Sequence, residues 1–258
     1  MIQIRDMTPA DEAFVGSCTH IDETAEWTAS CARRVPWLRQ MHVHGLRVKV
    51  AVDDGEHVGF LYCMPIERAP WGPVGRDLMV IQCLVVQDKV KGHGVGRELV
   101  QAAEDEARTQ GKRGVAAIAF YHDFWLLPAS FYEACGYRVV RRKGASAVMW
   151  KAFDSSAEPP DFLEPRYTYT PVAGKVVVDL FWTLSCLTSD TEAQRVREVC
   201  AEIGDSVCLR EFCAGEPEIR DAAGICRAIY VNGNEIGWGC EAPKEGLREA
   251  IEKAMEEA

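Results

Sequence analysis

The sequence predicts an α/β protein, and three observations support that prediction. Short apolar strands alternate with helical segments over residues 1–151 in the order β-α-(α)-βββ-α-β-α-β. One of these strands, Leu78 to Val86, runs into a loop with three alternating glycines that opens directly into a helix. A second α/β stretch follows a proline-rich segment. We therefore expect a mixed sheet with flanking helices, followed by a smaller α/β domain.

Local signals define each element of the first part of the chain. Residues 1–6 alternate apolar and polar side chains, and Thr8 with Pro9 is typical of a helix start. A helix from about Gly96 to Gln110 places apolar side chains on one face, and Gly111 follows it as a left-handed cap. The remaining strands are predicted at 46–52, 57–66, 78–86, 114–122, 137–142 and 147–151, with a short helix at 128–135.

The second part of the chain begins after a segment rich in proline. Four of the twelve prolines fall between residues 159 and 171, which indicates a linker or a wrapping segment. Further elements are predicted at 175–182 (strand), 190–203 (helix), 207–212 and 228–231 (strands), a strand ending near 236 and a helix from Pro243. The predicted domains are residues 1–152 and 174–258, with the linker at 153–173.

Net charge also divides the chain into two parts. Residues 1–157 hold 19 Lys and Arg residues against 19 Asp and Glu residues, whereas residues 158–258 hold 10 against 20. Two surfaces of such different charge favour two domains. Neither part has the basic patch that nucleic-acid binding requires, so we expect no nucleic-acid partner.

Composition also bears on location and on metals. No apolar run reaches the roughly 18 residues that a membrane span needs, and the first residues lack the pattern of a signal peptide. We expect a cytoplasmic protein with no membrane partner. The eleven cysteines form no C-x-x-C pair and no Cys/His quartet, so we expect no metal site and mostly reduced thiols.

The glycine loop after the strand at 78–86 predicts an anion site. The first turn of a helix leaves several N–H groups without partners, and the peptide dipoles place partial positive charge there. Glycines at 92, 94 and 96 let a phosphate approach that backbone. A mononucleotide P-loop would need Gly-Lys-Ser/Thr, but the chain has Gly96-Arg97-Glu98. The remaining alternative is a tight turn without a ligand.

Two motifs resemble those of the GNAT superfamily of N-acetyltransferases. Lys91, Gly94 and Gly96 stand where that family has Arg/Gln-x-x-Gly-x-Gly/Ala, and Pro128 to Tyr137 resembles its later Phe-Tyr segment. The resemblance covers residues 1–152 and implies acetyl-CoA as cosubstrate. It implies that backbone groups of the loop hold the pyrophosphate and that a strand end pairs with the pantetheine arm. The loop residues are Lys91, Gly92, His93, Gly94, Val95, Gly96 and Arg97, and the strand residues are Leu84, Val85 and Val86.

The same resemblance suggests an acid but leaves the base open. Tyr132 stands at the family position of the acid, and a phenol is protonated at neutral pH. Many relatives place a Glu or His where this chain has Gln82, and an amide cannot accept a proton, so Gln82 is left to orient substrate or water. His122 ranks first as the base because strand ends border the cleft in such folds, with Glu67, Asp77 and Asp123 as alternatives.

The acceptor is less defined than the donor. We expect the amine of a small molecule, and a homodimer is one open form of assembly. A rival interpretation is an acyl-CoA sensor with little turnover, because the strand base is missing. A core role for Tyr132 is the alternative to its role as acid.

Residues 172–258 resemble a thioredoxin-like domain of the YoaP-like type. The resemblance rests on the strand KVVVDLFW, on Cys186 just after it, and on the ending AIYVNGNEIGWG before a helix. A thiol at a helix N-terminus has its thiolate favoured, which makes Cys186 a candidate thiol site with Arg227 or Cys226 near it. Ser189 replaces the second cysteine of a C-x-x-C motif, which argues against a dithiol enzyme. A monothiol redox or thiol-transfer protein and a binding module both stay open.

Overall fold

The computed structural model describes residues 1–18, 24–122, 127–236 and 242–257. The chain forms two compact units, the first of Met1–Asp22 and Val35–Leu163, the second of Glu23–Arg34 and Glu164–Ala258. No helix in the described ranges has the length and apolar character needed to cross a membrane.

The first unit is built on a seven-stranded mixed sheet. Its strands are β1 (Gln3–Asp6), β2 (Arg47–Asp53), β3 (Glu56–Pro65), β4 (Met79–Val86), β5 (Gly114–Phe120), β6 (Arg138–Lys143) and β7 (Ser146–Ala152). Their order in the sheet is β1-β2-β3-β4-β5-β7-β6. Only β4 and β5 pair in parallel among these strands, and the other neighbours are antiparallel. All seven predicted strands are confirmed, with ends that differ by one or two residues.

Helix α3 (Val95–Thr109) covers one face of this sheet. Leu99, Ala103 and Ala107 on its inner face are fully buried against the strands, as the apolar spacing predicts. Glu104 is also buried, which the apolar pattern did not reveal. Lys151 on β7 donates to its carboxylate at 2.9 Å, so the charge is paired inside the packed layer.

Three further helices occur along this part of the chain, two between β1 and β2 and one between β5 and β6. Helix α1 (Glu12–Ser17) follows a 3₁₀ turn at Pro9–Asp11 that Thr8 caps, as predicted. Helix α2 (Ala25–Val43) contains Pro36 and spans the division between the two units. Helix α4 (Ala129–Ala134) is the predicted short helix before Gly136.

The first half of the proline-rich segment packs on the first unit, and the second half packs on the second unit. Val74 and Asp161 exchange backbone hydrogen bonds of 2.8 and 2.9 Å within the first unit. In the second unit, the Tyr167 hydroxyl donates to Asp179 at 2.6 Å, and its ring stacks on Tyr230 at 4.1 Å. The units divide at Leu163, inside the stretch that the sequence presents as a linker.

The second unit has a four-stranded sheet of its own. Its strands are β8 (Val176–Trp182), β9 (Val207–Cys213), β10 (Ala228–Val231) and β11 (Asn234–Glu235), and its helices are α5 (Leu187–Ile203), α6 (Pro217–Ala223) and α7 (Lys244–Glu256). The sheet order is β11-β10-β8-β9, with β9 parallel and β10 antiparallel to β8. Helix α6 was not predicted, because its seven residues are too few to show an apolar period.

Candidate functional site

The candidate site lies where β4 and β5 part. Within the described residues their ladder has three pairs, the last between Ile81 and Ala117, although β4 continues to Val86. The edge of β4 that faces β5 is therefore open from residue 82 to residue 86. Backbone N–H and C=O groups need partners, so such an edge suits an extended ligand that carries amide groups.

Gln82 begins this open stretch and forms a β-bulge. Tyr62 pairs with Cys83 and Cys63 pairs with Ile81, which leaves Gln82 as the extra residue. Its buried side chain accepts a hydrogen bond from the Trp71 N–H at 3.2 Å and donates one to the Gly72 carbonyl at 3.0 Å. The amide thus binds the loop before β4, and the role of Gln82 in orienting substrate or water stays a prediction.

A cavity of about 770 Å³ opens beside this edge. Its walls come from the end of β4, the loop after it, the first turn of α3 and the start of α4. The lining residues are Leu84, Val85, Val86, Asp88, Val90, Lys91, Gly92, Gly94, Val95, Gly96, Arg97, Leu127, Pro128 and Phe131. Nine of the ten residues that the sequence predicts for the cofactor lie on these walls, His93 being the exception.

Glycine is required at the three loop positions for two different structural reasons. Gly92 and Gly94 have φ angles of +82° and +85°, and a Cβ at either position would meet no atom within 4 Å. The space above them is open to a ligand. At Gly96 a Cβ would lie 3.1 Å from the Phe131 ring. Gly96 is therefore needed for packing of α3 on α4, whereas the first two glycines shape the loop.

The N-terminus of α3 points donor groups at this cavity. The first helical bond runs from the Glu98 N–H to the Gly94 carbonyl, so the N–H groups of residues 95–97 have no backbone acceptor in the described chain. No side chain caps the helix. A helix of this length also places partial positive charge at its start, so an anion fits there.

Two cationic side chains line the same cavity, and they differ in whether they already form an ion pair. Lys91 forms an ion pair with Asp88, whose carboxylate also lies on the cavity wall. Arg97 is exposed and has no hydrogen-bonded or ion-paired partner within the described residues. Arg97 is therefore the cation that can meet a phosphate without first losing another contact.

Tyr132 lies behind the cavity wall. Its side chain is fully buried in the core of the first unit, and its ring packs edge-on against Phe131 and Tyr137. Burial raises the pKa of Tyr132, so the phenol stays protonated. Its hydroxyl has no hydrogen-bond partner in the described structure, which leaves a buried donor available.

The proposed bases are dispersed. His122 is exposed just beyond β5, where its ring stacks on Phe120 at 5.2 Å, and it does not line the cavity. Glu67 accepts a hydrogen bond from the Asp77 N–H at 2.9 Å on the loop before β4. Asp123, the remaining alternative, lies outside the described residues.

Cys186 lies in the second unit at the N-cap of α5. Its sulfur is 3.1 Å from the Thr188 hydroxyl, and that hydroxyl also accepts a hydrogen bond from Arg227 at 3.0 Å. The sequence did not predict the role of Thr188, because its two partners come from different parts of the chain.

The contacts of Gln82 generate a stability prediction. Gln82→Ala leaves the Trp71 N–H and the buried Gly72 carbonyl without their partner, so the free energy of unfolding should fall by about 1–3 kcal/mol. Urea unfolding measures this change. The control is Gln101→Ala, because exposed Gln101 bonds to Asp105 on the same helix and its loss should change stability by less than about 0.5 kcal/mol. Equal stability of both variants would contradict the role given to Gln82.

The comparisons with known proteins concern the first unit. Residues 44–139 match the family model described as "Acetyltransferase (GNAT) domain". No curated protein sequence matches the chain.

Solved structures resemble a similar portion of the chain. YncA from Salmonella typhimurium, solved with its cofactor acetyl-CoA, is 22% identical, with 62% of this chain and 98% of that chain covered and a TM-score of 0.47. YhbS, a GNAT family N-acetyltransferase from Escherichia coli in complex with CoA, is 19% identical, with 61% and 87% covered and a TM-score of 0.45. PaiA N-acetyltransferase from Thermoplasma acidophilum, in complex with coenzyme A, is 15% identical, with 59% and 99% covered and a TM-score of 0.42. The stretch 44–139, which matches the acetyltransferase (GNAT) domain model, holds the glycine loop, the lining residues of the cavity and Tyr132.

Proposed function

We propose that this protein transfers an acetyl group from acetyl-CoA to the amine of a small molecule. The observation that carries the proposal is a single cavity that joins the open edge of β4 to the free N–H groups at the start of α3. One end suits a pyrophosphate and the other suits an extended chain with amide groups, and CoA has both.

The donor would lie along the cavity in a defined direction. Its pyrophosphate would accept hydrogen bonds from the N–H groups of residues 95–97 above Gly92 and Gly94, with Arg97 adding charge. The pantetheine arm would pair with the open edge formed by Leu84, Val85 and Val86. The apolar side chains of Leu127 and Phe131 would cover the arm from the other side and exclude water.

The reaction needs two proton transfers. The amine nitrogen bonds to the thioester carbonyl carbon, the C–S bond breaks, and the departing thiolate takes a proton. Backbone N–H groups on the open edge of β4 would stabilise negative charge on the carbonyl oxygen. Tyr132 is the proposed proton donor, because its hydroxyl is protonated and unpartnered behind Phe131. His122 is the proposed base for the amine, directly or through water.

The second unit is proposed as a thioredoxin-like domain that accompanies the transferase. What supports this is the strand order β11-β10-β8-β9, with β9 parallel and β10 antiparallel to β8, and a helix that starts directly after β8. We keep the domain borders at 1–152 and 174–258 and the cytoplasmic location as parts of the proposal.

Acetyl transfer to a panel of amines tests the function. The full chain is incubated with acetyl-CoA and polyamines, amino sugars, amino acids or short peptides, and the release of CoA is followed by chromatography. Turnover with at least one small amine supports the proposal. Binding of acetyl-CoA without turnover on any acceptor would favour the acyl-CoA sensor instead.

The glycine loop generates a prediction about donor binding. Gly94→Ala places a methyl group in the phosphate space, so acetyl-CoA should bind about 10- to 100-fold more weakly, as expected for the loss of a charge-assisted hydrogen bond. Gly111→Ala is a matched control, because Gly111 also has a positive φ of +68° and open space around it. Both changes should destabilise the fold by about 1–2 kcal/mol. Calorimetry would refute the site if both variants bound acetyl-CoA equally.

The proton donor can be tested by removing one oxygen atom. Tyr132→Phe should lower kcat by about 100-fold or more while the free energy of unfolding stays equal or rises, because an unpartnered buried hydroxyl is removed. Tyr137→Phe, in the same core, is the control and should keep kcat. An unchanged kcat for Tyr132→Phe would assign Tyr132 to packing alone.

The base generates a prediction about pH. His122→Ala should lower the rate on the limb of the profile where the wild-type rate rises with pH, because that limb reports deprotonation of the base. The exposed His44 is the control, and His44→Ala should leave the profile unchanged. If the His122→Ala variant kept the wild-type pH profile, His122 would be excluded as the base. Glu67 and Asp77 would then be the next candidates.

A further inference from the structure

The N-terminal end of α5 is an unusually polar part of the second unit. Eight buried polar or charged residues lie on or beside its first turns: Ser30, Arg34, Thr183, Ser185, Ser189, Asp190, Thr191 and Glu192. Such groups are buried only when they are bonded to one another or have a task. Cys186, at the N-cap, belongs to this cluster.

Ser189, which stands where a second cysteine of a C-x-x-C motif would be, has a structural task. Its buried hydroxyl accepts a hydrogen bond from the Thr183 N–H at 3.1 Å and so ties the end of β8 to α5. It therefore offers Cys186 no partner for sulfur chemistry, and any such partner comes from elsewhere in the unit.

The hydrogen bonds around Thr188 bring another element to Cys186. Arg227, at the start of β10, donates to the Thr188 hydroxyl at 3.0 Å, and Glu192 holds the same guanidinium at 2.6 and 2.7 Å. The same hydroxyl lies 3.1 Å from the Cys186 sulfur, so Arg227 and Cys186 both contact Thr188.

Cys226 comes with Arg227. It directly precedes that residue and is half-buried. The ladder between β10 and β8 pairs Ala228 with Phe181, so Cys226 lies near the end of β8, from which the chain runs to Cys186 at the N-cap of α5. Burial is the largest cause that raises the pKa of Cys226, to about 12. Of the two thiols, Cys186 is therefore suited to attack and Cys226 to resolve.

We propose that Cys186 and Cys226 form a two-thiol redox centre that closes reversibly into a disulfide between the start of α5 and the start of β10. The pair replaces the missing C-x-x-C motif with cysteines from two separate elements. This centre does not depend on acetyl transfer in the first unit.

The oxidation is a thiol–disulfide exchange with a low-molecular-weight disulfide. The Cys186 thiolate attacks one sulfur of glutathione disulfide, whose S–S bond breaks and releases one glutathione thiolate, which takes a proton. Cys226 then loses its proton to solvent and attacks the Cys186 sulfur, which releases the second glutathione. Two protein thiols are oxidised, and one glutathione disulfide is reduced to two thiols.

Peptide mapping of the full chain tests the proposal. The reduced protein is treated with glutathione disulfide, remaining thiols are blocked with iodoacetamide, and the chain is cut with trypsin. Cleavage after Lys175, Arg195, Arg220 and Arg227 gives peptides 176–195 and 221–227, each with one cysteine. The expected product is these two peptides joined by a disulfide and separated by a dithiol reductant.

Variants identify the order of the two steps. Cys226→Ser should lose the linked peptide and keep glutathione on Cys186, whereas Cys186→Ser should carry neither modification. Cys213→Ser is the control, because Cys213 is a half-buried cysteine on β9 of the same unit, and it should form the linked peptide as the wild type does.

Three results would overturn the proposal. One is a wild-type protein that stops at the glutathione adduct on Cys186, which would indicate a monothiol. The second is a wild-type protein in which Cys226 is still alkylated after Cys186 has formed a disulfide with another cysteine. The third is the absence of any reaction at Cys186, which would leave the cluster a structural one.

Discussion

Within the described residues, three pairs connect β4 to β5, and the proposed chemistry of the first unit depends on that short ladder. If the two strands stayed paired to their ends, β4 would have no open edge and the cavity beside it would be closed. The bulge at Gln82 coincides with the point of separation, and bulges increase the local twist of a strand. The side chain of Gln82 then uses its two hydrogen bonds to hold the preceding loop in place. The open strand edge and the fixed loop therefore follow from one residue.

Helix α3 lies between this edge and the proposed anion site. Two of its properties matter, the packed inner face and the uncapped first turn. Its inner face, with Leu99 and Ala103, is packed without exposure against the sheet, so the helix axis cannot shift easily. Its first turn has no side-chain cap, so its donors stay free. The close contact of Gly96 with Phe131 links the same turn to α4, where Tyr132 lies. Packing thus fixes the distance between the proposed phosphate site and the proposed proton donor.

The second unit concentrates its buried polarity at the end of one strand and the start of one helix. The Thr188 hydroxyl contacts both Arg227 and Cys186, and Glu192 keeps the guanidinium in position. Ser189 shows the other use of such groups, because its hydrogen bond to the backbone is purely structural.

The sequence by itself predicted the elements of the first sheet, helix α3 and the loop of the proposed donor site. Apolar periods identified all seven strands of the first sheet and helix α3, because strand and helix periods are local properties. The glycine spacing at 92, 94 and 96 likewise located the anion loop, since a positive φ is a local demand. Tertiary structure decided the rest. It assigned Gly96 to packing against Phe131, turned Gln82 inward to the loop, buried Tyr132, paired Lys91 with Asp88 and placed Cys226 near the end of β8. These outcomes depend on which distant segments meet, and side-chain partners from separate elements leave no periodic mark in the sequence.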